Sequence, residues 1–397
     1  MSRNKMICLI AGAAVGFATA ASAQVSRDEG NAQAAEFAAY NTSLSSALQA
    51  GAGPTAYGFT KFRYVINTRD ETDPVGQEDT AVGFMNAKTR IGFKGDVDTF
   101  SYRVDGDFDP EGVFELNYAT ITHAYDNGWS VTVGQTKAPF LREELIDETG
   151  LLDMSRSIVN TVFTTGYTQG VFGTYETEDW RATGAFTDGA RAKNTDFTSR
   201  DESDYAFTAR FEYKIQGNDW DAFNDFTSFK GSDTAYMAGA AIHYQTGGET
   251  FAATPGGATP DVDILGLTAD FTAEGNGWNA FAAFVALNTD PAVGIDRDDF
   301  GVVVQGGWFA DDAWELFGRY AWTSPDDDTG LDDFSALTVG VNHYFVPESH
   351  AAVFTADLVF FLDEESQGMV PANTENALLA SGEDSQFALR AQLQLVF

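Results

Sequence analysis

The feature that most constrains this chain is its punctuation. From Tyr57 to the last residue, segments that alternate apolar and polar side chains follow one another, separated by clusters of Asp, Gly and Asn. The final segment is QFALRAQLQLVF. Phe387, Leu389, Ala391, Leu393, Leu395 and Phe397 share one face, while Ala388, Arg390, Gln392 and Gln394 share the other, as the period of a β-strand requires. Sixteen strands are predicted, over 57–66, 84–94, 99–107, 113–124, 128–138, 167–176, 180–187, 204–214, 236–246, 263–273, 277–287, 300–310, 312–322, 334–346, 350–361 and 386–397. The aromatic stretch 219–229 is set apart, because Trp220, Phe223, Phe226 and Phe229 recur by threes and suit a helical turn within a connection.

The connections alternate between long and short, with 215–235 the one exception. An up-and-down barrel with unequal rims produces that alternation. A sandwich gives no reason for it, and a propeller would show a recurrent blade motif that is absent here. Strands of about 9 to 11 residues also match the thickness of a bilayer. The predicted class is therefore all-β: a 16-stranded antiparallel transmembrane β-barrel with long extracellular loops, short periplasmic turns and one long connection folded inward. Trp129, Trp180, Trp278 and Trp314 follow tight turns, and Tyr320, Trp322, Tyr344 and Phe345 lie near strand ends, where an interfacial girdle is expected. Val131, Val133, Phe281, Phe284, Phe354, Ala356 and Leu358 are assigned to the outer, lipid-facing surface.

Residues 1–23 read as a secretory signal: Arg3 and Lys5, an apolar run, then Ala21-Ser22-Ala23 before the cut. That run is shorter than the roughly 20 residues a spanning helix needs. Residues 24–56 are Ala-rich and close on Gly51-Ala52-Gly53-Pro54, which suggests a periplasmic arm or short helix plus linker ahead of a barrel over 57–397. Removing Arg3 and Lys5 takes the basic count from 23 to 21 against 59 acids, a formal charge of −38, and removes the single Cys8 with them. Such a balance excludes nucleic acid as a partner. No cofactor is expected. His123, His243, His343 and His350 are scattered without zinc spacing, and no nucleophile elbow is present, so the chain does not read as an enzyme.

If the barrel encloses water, its chemistry lies on the inner face. Alternation places Lys61, Arg63, Lys88, Arg90, Lys94, Arg103, Arg181, Arg210 and Lys214 there, concentrated in the first half of the chain. Two readings stay open: a positive stripe favouring anions, or a mixed lumen in which these cations pair with Asp105, Asp107, Glu115 and Glu212. The longest connection, 139–166, breaks at Pro139 and continues as a charged, helix-compatible stretch, so it is expected to narrow the lumen with Lys137, Arg142, Glu143, Glu144 and Arg156. The acidic runs at 290–299, 326–333 and 363–365 read as solvated loops.

Gly134-Gln135-x-Lys137-x-Pro139-Phe140, followed by Glu143-Glu144 and Met154-Ser155-Arg156-Ser157, resembles the phosphate-selective porins O and P. The resemblance implies a trimeric sixteen-stranded porin of the bacterial outer membrane, with anion-binding Lys and Arg in its channel. Lys137, Arg142 and Arg156 are the positions carried over. Phe397 is similar to the terminal assembly signal of outer-membrane barrels. Membrane lipid, lipopolysaccharide and small hydrophilic solutes or anions are the expected partners. The chain departs from the family in having few basic residues and an acidic excess. A general or weakly anion-preferring diffusion pore is therefore expected, with a phosphate-specific channel and a non-conducting structural or adhesive barrel as alternatives.

Overall fold

The structure is a computed structural model that describes residues 53–69, 80–200, 202–248, 261–382 and 384–397. The signal segment and nearly all of the N-terminal arm lie outside the described residues. The strands run Thr55–Thr68 (β1), Thr80–Val97 (β2), Phe100–Phe108 (β3), Phe114–Ala124 (β4), Trp129–Lys137 (β5), Tyr167–Glu176 (β6), Trp180–Thr187 (β7) and Tyr205–Gln216 (β8). They continue as Ala235–Thr246 (β9), Val262–Gly275 (β10), Trp278–Pro291 (β11), Arg297–Phe309 (β12), Trp314–Ser324 (β13), Phe334–Tyr344 (β14), Ala352–Phe361 (β15) and Phe387–Val396 (β16). All sixteen predicted strands are present. Neighbours pair in sequence order, and β1 closes antiparallel on β16 from Phe59 opposite Val396 to Thr68 opposite Phe387. Closure matters physically, because hydrocarbon offers no partner to the open edge of a sheet.

The period of two survives wherever one face is apolar. On β8, Tyr205, Phe207, Phe211 and Tyr213 are exposed outward, while Thr208, Arg210, Glu212 and Lys214 are buried inward. On β16 the outward face holds Phe387, Leu389, Leu393 and Leu395, and Arg390, Gln392 and Gln394 point in. Trp129 and Trp314 sit exposed at strand starts, and Trp308 joins them. This outer surface of apolar side chains bordered by aromatic residues is what contact with lipid selects.

Three assignments are corrected. Phe281 does not face lipid: it is buried on the inner side and packs on Phe226 with ring centroids 4.7 Å apart. Tyr344 leaves the girdle as well, because its hydroxyl turns inward and donates to Glu315 at 2.7 Å. Its neighbour Phe345 remains exposed. The third correction is to the lumen, which is not polar all round. Val285, Leu287, Val303, Phe317, Phe334, Val359 and Phe361 line the inner wall of the second half and form a core with Phe140, Ile146, Leu152, Ile158 and Phe163 of the inward connection. Burying those side chains against one another, at about 25 cal/mol per Å² of apolar surface, fixes the connection to that wall.

Candidate functional site: the loop across the lumen

The long connection, 138–166, crosses the barrel interior. It starts where the β5–β6 ladder ends. Gly134 has φ 119°, and a Cβ there would lie 2.0 Å from the Ala119 carbonyl oxygen, so only glycine fits this kink. The Gln135 side chain then donates to the Leu116 oxygen at 2.8 Å and accepts from the Asn194 backbone N–H, also at 2.8 Å. Pro139 has no N–H to continue the ladder, and Phe140 is driven fully into the core.

From there the chain forms a one-turn helix, Arg142–Leu145, a 3-10 turn, Glu148–Gly150, and a second helix, Ile158–Phe163. The continuous helix suggested by the charge pattern is thus broken into pieces. Glu143 accepts from the Ser157 backbone N–H and hydroxyl at 2.6 Å each, and Ser157 caps the second helix by accepting from Asn160 N–H at 3.1 Å. Lys137 donates to the Glu144 and Ile146 carbonyls. Arg156 donates to the Ile146 carbonyl at 2.8 Å, pairs with Glu148, and lies 3.5 Å from Glu144. Of the residues carried over from the family motif, Lys137 and Arg156 therefore tie the loop to itself. Lys137, Arg142, Glu143 and Glu144 are buried, and Arg142 reaches Glu212 at 3.6 Å.

The loop's acids meet cations from across the barrel. Glu148 lies 3.4 Å from Lys61 and 3.1 Å from Lys88. Burial pushes its carboxyl up, but Arg156, Lys88 and Lys61 outweigh that and hold it well below the usual carboxylate range. Asp153 is bound by Arg319 at 2.6 Å and Arg390 at 2.9 Å. Burial opposes its ionisation as well, yet the two guanidinium groups bring its pKa down to about 2.

Arg90, Arg103, Arg181 and Arg210, also assigned to the lumen, are paired in the same manner, while Arg63, Lys94 and Lys214 meet amides, carbonyls or rings. Arg90 binds Asp107 at 2.6 Å and Asp147 at 3.4 Å, and Arg103 binds Asp105 at 2.6 Å and Asp147 at 3.4 Å. Arg210 meets Asp270 at 2.9 Å, and Arg181 meets Glu212 at 2.6 Å. Glu115, expected to neutralise one of them, pairs instead with Lys193 of the 188–204 connection. Arg63 donates to Gln392 at 2.9 Å and to the Met154 carbonyl at 3.0 Å. Lys94 lies over the Tyr57 ring at 5.4 Å, and Lys214 over Trp220 at 5.3 Å.

Exposure separates two groups. Lys61, Arg63, Arg90, Arg210 and Lys214 are buried, whereas Arg103 is 31%, Lys88 20%, Asp147 39% and Glu375 42% exposed. The half-buried set lies between the loop and the wall of β1 to β6, joined by Tyr118 and Tyr167, with Arg103 stacked 3.6 Å from the Tyr118 ring centre. Partial exposure and opposite charges meet there, across from the apolar half of the lumen. Glu375, Arg319 and Arg390 escaped the sequence reading as site residues, since nothing local marks a strand arginine as the partner of a loop acid more than 150 positions away.

A family model described as "Phosphate-selective porin O and P" matches residues 61–397. The chain belongs to this family. It is a porin of the bacterial outer membrane, a channel for passive diffusion. Among solved structures the porin is similar to an anion-selective porin from Comamonas acidovorans, with TM-score 0.62, 13% identity and coverage of 87% of this chain and 99% of that one. It is also similar to the outer membrane channel DcaP of Acinetobacter baumannii, with TM-score 0.56, 15% identity and coverage of 86% and 97%. A third likeness is OmpT of Vibrio cholerae in its trimer form, with TM-score 0.55, 12% identity and coverage of 87% and 99%. At such identities these likenesses establish the fold. A search among curated proteins found no match.

Proposed function

We propose that this porin admits small hydrophilic solutes through a water-filled crescent between the 138–166 loop and the β1 to β6 wall, with weak discrimination by charge. The observation that carries this reading is the pairing of opposite charges along the crescent: Arg103 with Asp147, and Lys88 with both Glu148 and Glu375. A compensated pair presents a dipole to a passing ion, where a lone cation would present a field. Among the site residues expected from sequence, Lys88 and Arg103 touch the passing solute. Lys137, Arg142, Glu143, Glu144 and Arg156 shape the loop that sets the bore.

The test is the reversal potential of the purified porin in a planar bilayer across a KCl gradient. Chloride over potassium should stay below tenfold, because that ratio corresponds to about 1.4 kcal/mol of unbalanced field. A stronger anion preference, or block of the chloride current by micromolar phosphate, would establish the phosphate-specific alternative. An electrically silent protein would establish the structural one.

The same reading includes export by cleavage after Ala23, residues 24–56 as a periplasmic arm, and assembly as a homotrimer in contact with membrane lipid and lipopolysaccharide. Support for the trimer comes from the trimer form of the similar Vibrio cholerae protein. The start of β1, the end of β16 and the short turns share one rim, which is the periplasmic rim in barrels of this kind.

A further inference from the structure

One connection on the short-turn rim breaks the pattern, and it also enters the lumen. Residues 217–234 join β8 to β9 by way of a 3-10 turn at Trp220–Phe223. The segment does not hang free. Trp220 donates from its indole to the Thr177 carbonyl at 2.9 Å, and Gly277 donates its backbone N–H to the Phe229 carbonyl at 3.2 Å. Lys230 reaches the Ala310 carbonyl at 3.2 Å, and His350 lies 3.1 Å from the Thr227 hydroxyl. Those four partners belong to the turns after β6, β10, β12 and β14, so the segment spans the mouth of the barrel from side to side.

Its tip meets the constriction loop. The Phe226 backbone N–H donates to the Gly150 carbonyl at 2.9 Å, and a Cβ added at Gly150 would lie 2.6 Å from the Asp225 Cβ. Phe226 itself is buried against Phe281 of the barrel wall and joins the apolar core that carries Ile146 and Leu152 of the loop. Gly150 closes the 3-10 turn that holds Asp147 and Glu148 toward the crescent.

We propose that residues 217–234 act as a strut that sets the position of the constriction loop, with Phe226 as the positioning residue, so that the bore is determined from both rims. The inference rests on the loop being the narrowest point, as proposed above. The loop's anchoring to β5 and β6 leaves its middle turn, 148–150, far along the chain from either attachment. A backbone hydrogen bond and a buried ring at that turn restrict its travel where it matters to a solute. Asp147 and Glu148 would shift with it, changing bore and steadiness without changing which charges line the path.

The experiment compares single-channel records of the full-length porin, wild type against Phe226→Ala and Phe226→Leu, after checking each for heat-modifiable migration as a folded barrel. Phe226→Ala should raise the open conductance by about 1.5-fold or more and add open-channel noise, at an unchanged reversal potential, because the lining charges stay in place. Phe226→Leu should restore the quiet wild-type step. Gly150→Val, which drives the loop off the strut by collision with Asp225, should reproduce the Ala phenotype by an independent route. Folded variants with wild-type conductance and noise would overturn the proposal. An Asp147→Lys variant run beside them separates the two readings. If it moves the reversal potential while Phe226→Ala leaves the records unchanged, the strut falls and the eyelet stands. If neither has any effect, the loop is not the constriction.

Discussion

Arg390 on the last strand reaches Asp153 in the middle of the constriction loop at 2.9 Å while gripping Asp357 on the neighbouring strand at 2.7 Å. This buried guanidinium, with Arg319 on the same carboxylate, fastens the loop to the wall of β13 to β16, which adjoins β1. Its Nη1 adds a bond to the Ser155 hydroxyl at 2.9 Å, so the contact fixes orientation as well as distance. Replacing Arg390 with Ala leaves Asp153 and Asp357 buried with less compensation, and losing one partner of a buried pair costs about 3 to 5 kcal/mol. The expected outcome is a lower unfolding midpoint in urea and a noisier channel. Arg390→Lys should recover charge without bidentate geometry and fall between the two.

The acids of the loop give a prediction in pH. Asp153 and Glu148 titrate below their unfolded values because their cation partners outweigh the cost of burial. A depressed carboxylate stabilises the docked loop fully above its unfolded pKa, and that stability is lost as pH falls through the folded value. The share of docking supplied by these two acids should therefore be complete at neutral pH, begin to fall below about pH 4 and be lost as pH approaches 2. Current noise recorded between pH 7 and pH 2 checks this: flicker that sets in below pH 4 is expected from these pairs. An onset near pH 6 would place control in other acids of the loop, of which Glu143, pushed up by burial, is one.

Much of the barrel was legible in the sequence because one residue's alternation is a local property. β8 and β16 have a single apolar face, and both orient as their patterns predict. β11 and β12 are apolar on both faces, as in Val285 and Leu287 against Phe284, and alternation alone then gives no sign of which face meets lipid. Phe281 was misplaced for that reason, and the apolar half of the lumen went unseen. In the site, length, the break at Pro139 and charge of both signs over 142–156 set the connection apart, and its Phe140, Ile146 and Leu152 pack on the inner wall. What remained hidden were the partners, since Lys61 and Glu148 or Arg90 and Asp147 become neighbours only after the ring closes. The motif lysine and arginines were legible as special, but their partners are not set by spacing: loop carbonyls for Lys137, Glu212 of β8 for Arg142 and Glu148 for Arg156.

Charge reversal separates residues that meet solute from those that hold the loop. Lys88→Glu and Arg103→Glu alter half-buried members of the crescent, so each should move the reversal potential toward potassium while the barrel remains folded. Lys137→Glu and Arg142→Glu place an acid where buried acids already lie, beside Glu144 and Glu212 respectively. Those variants should lose stability and gain noise, with a smaller change in potential per unit of charge. Equal shifts from all four positions would mean that the buried pair also reaches the water path.

The outer surface offers a test of the membrane setting that does not involve the channel. Leu393 is 51% exposed in the second half of β16, with Gln392 and Gln394 turned inward on either side. Arginine at a lipid-facing position near the bilayer midplane costs about 2 to 4 kcal/mol, and the penalty fades toward the interfaces. Leu393→Arg should therefore lower folding yield into lipid vesicles and shift the urea midpoint accordingly. Leu395→Arg, one alternation closer to the rim, should cost less. Gln394→Arg, between them but facing the lumen, should insert with a yield close to wild type. A uniform penalty across the three positions would contradict the assignment of inner and outer faces on the strand that closes the barrel.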